Sequence, residues 1–258
     1  VLNTYTSYQL IAKDIPKAID QVESQPAVKR ETEYYLANIG NAKTIDDFVG
    51  NTRLFNYAMK AFGLEDMAYA KAFMVKALKE GVSDEDSFAN KLTDKRYAEF
   101  VKAFNFAAHG ETATIYTSAQ QGTVDKYMRQ TLEENAGETN QGVRLALYFQ
   151  RKAPTITNWY DVLADTALSS VVRTALGLPD SFASADIDKQ AQLFEQKLDI
   201  ADFKDTDKLS KFLTRFTSLW EINNPTSTAQ TSVGVLFAQP TTVGISTDLM
   251  MAMQKLKF

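Results

Sequence analysis

Cysteine is absent from this 258-residue chain, which excludes disulfides, thiolate nucleophiles and cysteine-held zinc or iron–sulfur centres. Histidine is nearly absent too. The one residue, His109, precedes Gly110 and Glu111, and no Gly-x-Ser-x-Gly elbow or other nucleophile context accompanies it. The glycines are scattered singly, so neither a Gly-x-Gly-x-x-Gly fingerprint nor a Walker phosphate loop can be drawn. No stretch approaches the roughly 20 apolar residues that cross a bilayer, and the first residues lack the charged start and apolar core of a cleavable signal. Basic runs are short, with none longer than the Lys29 and Arg30 pair. The net charge of -4 also argues against a nonspecific nucleic-acid binder, which needs a field that attracts phosphate. Proline is scarce, and the β-branched alternation of strands is missing except around Val233 to Phe237. An all-α fold follows.

What is present is a repeat. The stretch Thr52 to Asp66 matches Thr166 to Asp180, with Thr, Leu, Ala, Gly, Leu and Asp at corresponding places. Self-similarity at long separation signals one supersecondary unit built twice. In the first copy Thr44 and Asp47 form a capping box, and Asn158 and Asp161 occupy the same places in the second. Each start leads into one helix with an apolar stripe, Leu54, Ala58 and Ala61 against Leu168, Val172 and Ala175. Gly63 and Gly177 sit where a left-handed residue ends a helix, with Leu64 and Leu178 folding back over the last turn. Asp66 and Asp180 are then expected to cap the next segment.

Further helical patterns end near Gly81 in one copy and near Leu198 in the other. Phe100 and Phe104 match Phe212 and Phe216 at the same four-residue spacing, an aromatic stripe best read as core. Polar helices over roughly Pro26 to Ile39 and Gln141 to Lys152 precede the two copies. Residues from His109 to Thr123, low in hydrophobicity, read as a linker. The expected organisation is a first helical unit over 1–110, a second over 111–222, and a polar tether with a C-terminal helix over 223–258. That end helix, capped by Thr247, carries Leu249, Met250, Met253 and Leu256 as its contact side. A helix of about 12 residues is marginal alone, so it needs an internal or external partner to be ordered.

The acidic clusters from Asp84 to Asp86 and from Asp199 to Asp207 lack the spacing, glycine and closing glutamate of a calcium loop and suit helix starts instead. An enzyme reading would need carboxylates such as Glu133, Glu134 or Asp161 to converge in a pocket. The sequence therefore nominates no catalytic, cofactor-binding or metal-ligating residue.

The segments Ala61-Phe62-Gly63-Leu64-Glu65-Asp66 and Ala175-Leu176-Gly177-Leu178-Pro179-Asp180, the Thr-x-Leu turns before them and the terminal Val243 to Lys257 resemble a bacterial family known as domain of unknown function twelve-seventeen. The resemblance implies one or more copies of a helical unit and a gene neighbourhood beside flagellar genes, and it supplies no catalytic residues. The tail is also similar to the short apolar end helices of flagellar axial proteins, although their Asn-rich amino-terminal signature is missing. The expectation is a non-enzymatic flagellum-associated structural or assembly protein with a protein partner, flagellar components among the candidates, located at the flagellum or in the cytoplasm. The alternative is a cytoplasmic regulator or export chaperone that holds flagellar subunits in a groove between the two units.

Overall fold

The computed structural model describes residues 2–225, and no strand occurs among them. The tail helix with Leu249, Met250, Met253 and Leu256, and the alternation near Val233, lie outside the described residues.

The chain opens with α1 (Thr4–Ala12), α2 (Ile15–Glu23) and α3 (Pro26–Asn38). Asn3 and Asp14 accept the free amides at the starts of α1 and α2, while prolines near the starts of α2 and α3 fix φ where no amide is needed. Next come α4 (Ile45–Gly50), α5 (Thr52–Ala61), α6 (Lys71–Glu80), α7 (Phe88–Lys91), α8 (Arg96–Ala103) and α9 (Phe106–His109). The remainder is α10 (Gln121–Thr139), α11 (Gln141–Lys152), α12 (Trp159–Leu163), α13 (Thr166–Ala175), α14 (Ile187–Lys197) and α15 (Thr206–Asn223), with short 3-10 turns between several of them.

Both capping boxes form as expected, Thr44 with Asp47 and Asn158 with Asp161. The helices they open are short, however. Each expected single helix is two, because Asn51 and Asp165 turn extended and accept the first amides of α5 and α13. Both ten-residue helices then end in the same way. Gly63 and Gly177 share a φ of 68°. The Leu64 amide donates to the Met59 carbonyl at 2.8 Å and the Leu178 amide to Arg173 at 2.9 Å, while each glycine amide reaches Lys60 or Thr174 at 2.9 Å. This pair of bonds is a Schellman motif at each site. Asp66 and Asp180 are not caps: both lie inside 3-10 turns, and α6 and α14 start later, behind Ala70 and Asp186.

The buried side chains form two clusters, and these do not divide at residue 110. The first is built on α2 to α10, with Phe48, Phe55, Phe62, Phe100 and Phe104 interleaved at its centre and Tyr35, Tyr57 and Tyr127 stacked beside them. The second is built on α11 to α15, and it recruits Tyr8 from α1. Ile11 and Ile15, at the turn between α1 and α2, pack against both. The expected linker is not one. Ala113, Thr114, Ala119 and Thr123 are buried, the Thr114 hydroxyl donates to the Ala42 carbonyl at 2.9 Å and the Tyr35 hydroxyl to that of Ala119 at 2.5 Å. Small side chains and satisfied carbonyls make this segment part of the first core despite its low hydrophobicity.

The two glycine stops share backbone geometry but not surroundings. A Cβ on Gly63 would meet the Arg96 guanidinium at 3.4 Å, whereas one on Gly177 meets nothing within 4 Å. Gly177→Ala is expected to cost only the strain of a left-handed backbone, about 1–2 kcal/mol of stability, and Gly63→Ala at least as much. Urea unfolding of the two variants measures this; a neutral Gly177→Ala would contradict the assigned stop.

Candidate functional site

Two polar arrangements and one cleft stand out, and all are positioned by α10, α11 and α15. Helix α10 faces the first cluster with Val124, Tyr127, Met128 and Leu132, and sets Ala136 against the second. Between these lies a polar stripe. Glu133, 1% exposed, accepts from Arg129 at 3.0 Å on its own helix and from Arg151 of α11 at 2.7 and 2.8 Å. Arg129 also donates to the Leu147 carbonyl at 2.9 Å, so α10 is tied to the α11 backbone.

Further ion pairs follow, of which only Lys152 with Glu99 joins the two clusters. Lys60 meets Glu134 at 2.9 Å, Lys152 meets Glu99 at 3.1 Å, and Arg96 meets Asp94 at 2.7 Å while reaching the Gly63 carbonyl at 2.5 Å. Burial pushes the Asp94 carboxyl up, but the hydrogen bonds and charge of Arg96 outweigh it and hold the group below its ordinary range. Burial pushes the Lys126 amine down, with its ammonium 5.2 Å from the Phe62 ring. Tyr148 donates to Asp165 at 2.5 Å; burial and then the Asp165 charge raise its hydroxyl.

The carboxylates considered for an enzyme reading are thus tied into structure. Glu133 and Glu134 hold arginine and lysine, while Asp161 accepts the Thr157 and Asn158 amides at 3.0 and 3.2 Å as the second half of its capping box. His109 ends α9 with its ring 4.5 Å from that of Tyr116. Among the described residues no group of three or more His, Asp or Glu side chains is placed to hold a metal ion, and no helix is long and apolar enough to cross a membrane.

A second polar group seats α1 across the second cluster. The Thr4 amide donates to Glu221 near the end of α15 at 2.8 Å, and the Thr4 hydroxyl donates to the same oxygen. Asn140 donates to Thr4 at 2.9 Å while its own carbonyl oxygen caps α11. Thr4, Asn140 and Glu221 are all buried. Nearby, Gly142 lets the Trp220 indole lie directly on the α11 backbone; a Cβ there would collide with the ring. Only the cap at Asn140 was open to sequence reasoning, as an Asn just ahead of a helical pattern; the contacts of Thr4 with Asn140 and Glu221 join residues far apart in the chain.

With α1 fixed in this way, a cleft of about 660 Å³ opens between α1, the end of α11 and the start of α15. Its floor is Tyr8, Phe203 and Gln150. Burial pushes the Tyr8 hydroxyl up to about 12, against the opposing charge of Arg129. The buried Gln150 side-chain oxygen has no hydrogen-bond partner among the described residues. A smaller cleft of about 450 Å³ lies between α2, α3 and α10. Each of these two clefts sits within one cluster, whereas Glu133 with Arg151 and Glu99 with Lys152 bridge the two.

Comparison with known proteins agrees with this architecture. The profile of DUF1217, described as proteins of unknown function, matches residues 61–209, and the chain belongs to that family. The chain is similar to the crystal structure of protein AGR_C_984 from Agrobacterium tumefaciens, with 56% identity and a TM-score of 0.80 over 86% of this chain and 94% of that one. No curated protein sequence matches the chain.

Glu133→Gln leaves two arginines facing a neutral amide and is expected to cost roughly 3 kcal/mol, as breaking a buried pair does, read by urea unfolding. Asp94 gives a pH signature. Its stabilisation is complete above the unfolded value near 3.9 and is lost as pH falls through the lower folded value. Stability of the wild type should therefore fall more steeply below about pH 4 than that of Asp94→Asn; identical acid limbs would show that the pair contributes nothing.

Proposed function

We propose that this chain is a non-enzymatic helical scaffold that works by protein–protein contact, with its C-terminal segment as the handle for assembly or docking. The observation that carries the reading is the open cleft beside α1, whose rim keeps Tyr5 and Leu10 exposed at 40% and 62%. Large apolar side chains held at the edge of a concavity suit a protein surface more than a small solute. The charged groups of the interior support the same view, because each of Glu133, Glu134, Asp94 and Asp161 has a structural partner. The flagellar setting rests on the family resemblance. The like sequence of capping box, helix break, ten-residue helix and glycine stop in 44–64 and 158–178 supports reading the two as copies of one unit.

The cleft also favours a second reading, a regulator or export chaperone that holds flagellar subunits, with the holding surface on the second cluster rather than between the clusters. Fractionation separates the two, since a chaperone stays in the cytosol and an assembled component appears in basal bodies or culture fluid.

Deleting residues 240–258 is expected to abolish partner capture from flagellated cells, and motility, while the melting temperature of the body hardly moves. Unchanged capture and motility would rule out the tail, with Leu249, Met250, Met253 and Leu256, as the handle.

A further inference from the structure

We propose that the cleft beside α1 receives an amphipathic helix of a partner protein whose apolar face is flanked by carboxylates. This rests on the protein-contact reading above and names the partner chemistry for one surface.

The argument begins with shape. The cleft runs between two helices, α1 on one side and the first turns of α15 on the other. A trough between helices accepts the ridge of a third, and helix-in-groove recognition needs an apolar floor with anchors spaced along it. Tyr8 and Phe203 supply the floor, and Leu10 and Leu209 line the opposing walls. Two of the lining residues on α1, Tyr5 and Leu10, are large exposed hydrophobics.

Charge selects the occupant. The lining contains Lys13 and Lys204 and no carboxylate, on a chain whose net charge is -4. Neither lysine forms an ion pair within the described residues, whose salt bridges involve other lysines. Three of the acids close by in sequence are engaged elsewhere. Asp14 caps α2, Asp202 pairs with Lys208 at 2.6 Å, and Asp205 accepts the Asp207 and Lys208 amides at the start of α15. Two unpaired ammonium groups at an apolar trough favour a segment that brings negative charge beside its anchors. The end of this chain is the poorer match, since 247–258 brings Lys255 and Lys257 against a single Asp248.

The test uses the full chain and two labelled model helices of about 16 residues, roughly 24 Å long. Both carry leucine on one face; one carries glutamate on its flanks and the other lysine. Fluorescence anisotropy should show the glutamate helix binding at least about tenfold tighter, with the preference shrinking as salt is raised. Leu10→Asp, at a 62% exposed position, should weaken that binding without changing the melting curve. The double variant Lys13→Glu with Lys204→Glu should reverse the preference toward the lysine helix. Equal affinity for both helices, no binding of either, or indifference to the charge swap would overturn the proposal. Binding of the glutamate helix that appears only when Met250→Asp and Met253→Asp are introduced would assign the cleft to the chain's own end and overturn it as well. Loss of cellular partner capture on deleting 240–258, with capture intact in the charge-swapped protein, would sink this inference while leaving the scaffold function standing.

Discussion

Glu133 is the point on which the architecture turns. A carboxylate that is 1% exposed cannot remain charged in an apolar boundary, because its desolvation costs several kcal/mol. Arg129 from the same helix and Arg151 from the next supply the compensation, and the second of these works only when α10 and α11 are aligned at one register. An apolar boundary of equal volume could be as stable, yet it would tolerate sliding by a turn. The charges thus fix where the first core ends and the second begins. Lys152 of α11 with Glu99 of α8 adds a second tie between the clusters, while Lys60 with Glu134 holds α10 to α5 within the first.

That orientation in turn places α1. The N-terminal helix precedes a first-cluster element in the chain but lies on the second cluster, and Ile11 and Ile15 pack into both. Its start is held by Glu221 and Asn140, from opposite ends of the second cluster's sequence. A helix of nine residues is too short to be stable alone. Its presence as an ordered wall therefore derives from the body beneath it. The cleft is a consequence of tertiary placement, with one wall borrowed from across the chain.

Legibility in the sequence followed the range of the physics. The capping boxes at Thr44 and Asn158 and the glycine stops at Gly63 and Gly177 are decided within six residues, and each was readable. The breaks at Asn51 and Asp165 were not, because a polar residue inside an apolar stripe looks like a solvated helix position until its side chain is seen capping the next turn. Helix α10 escaped notice for a related reason. Its buried surface includes Gln130, Thr131 and Glu133, so an apolar period is interrupted where it faces the other cluster. The segment around Ala113 and Ala119 read as linker because small buried residues carry little hydrophobic signal. The cleft was invisible altogether: Leu10 and Leu209 are brought together only by the completed fold.

The net negative charge also takes on a different meaning once the helices are in place. Many short helices require many N-terminal acceptors, and here Asp14, Asp165, Asp186, Asp199 and Asp205 serve as caps, with Asp47 and Asp161 closing capping boxes. Each favours the amide-rich end of its helix and satisfies donors that would otherwise need water. Part of the acidity is thus a consequence of the architecture. A capping carboxylate keeps its charge, so a partner meets the acidic field of the whole chain except where the fold lines a surface with other groups. Against that field, a trough with two unpaired lysines and no carboxylate in its lining is the less expected feature of an acidic protein. Overall charge misleads about such a surface, because the fold and not the chain average decides which side chains line it.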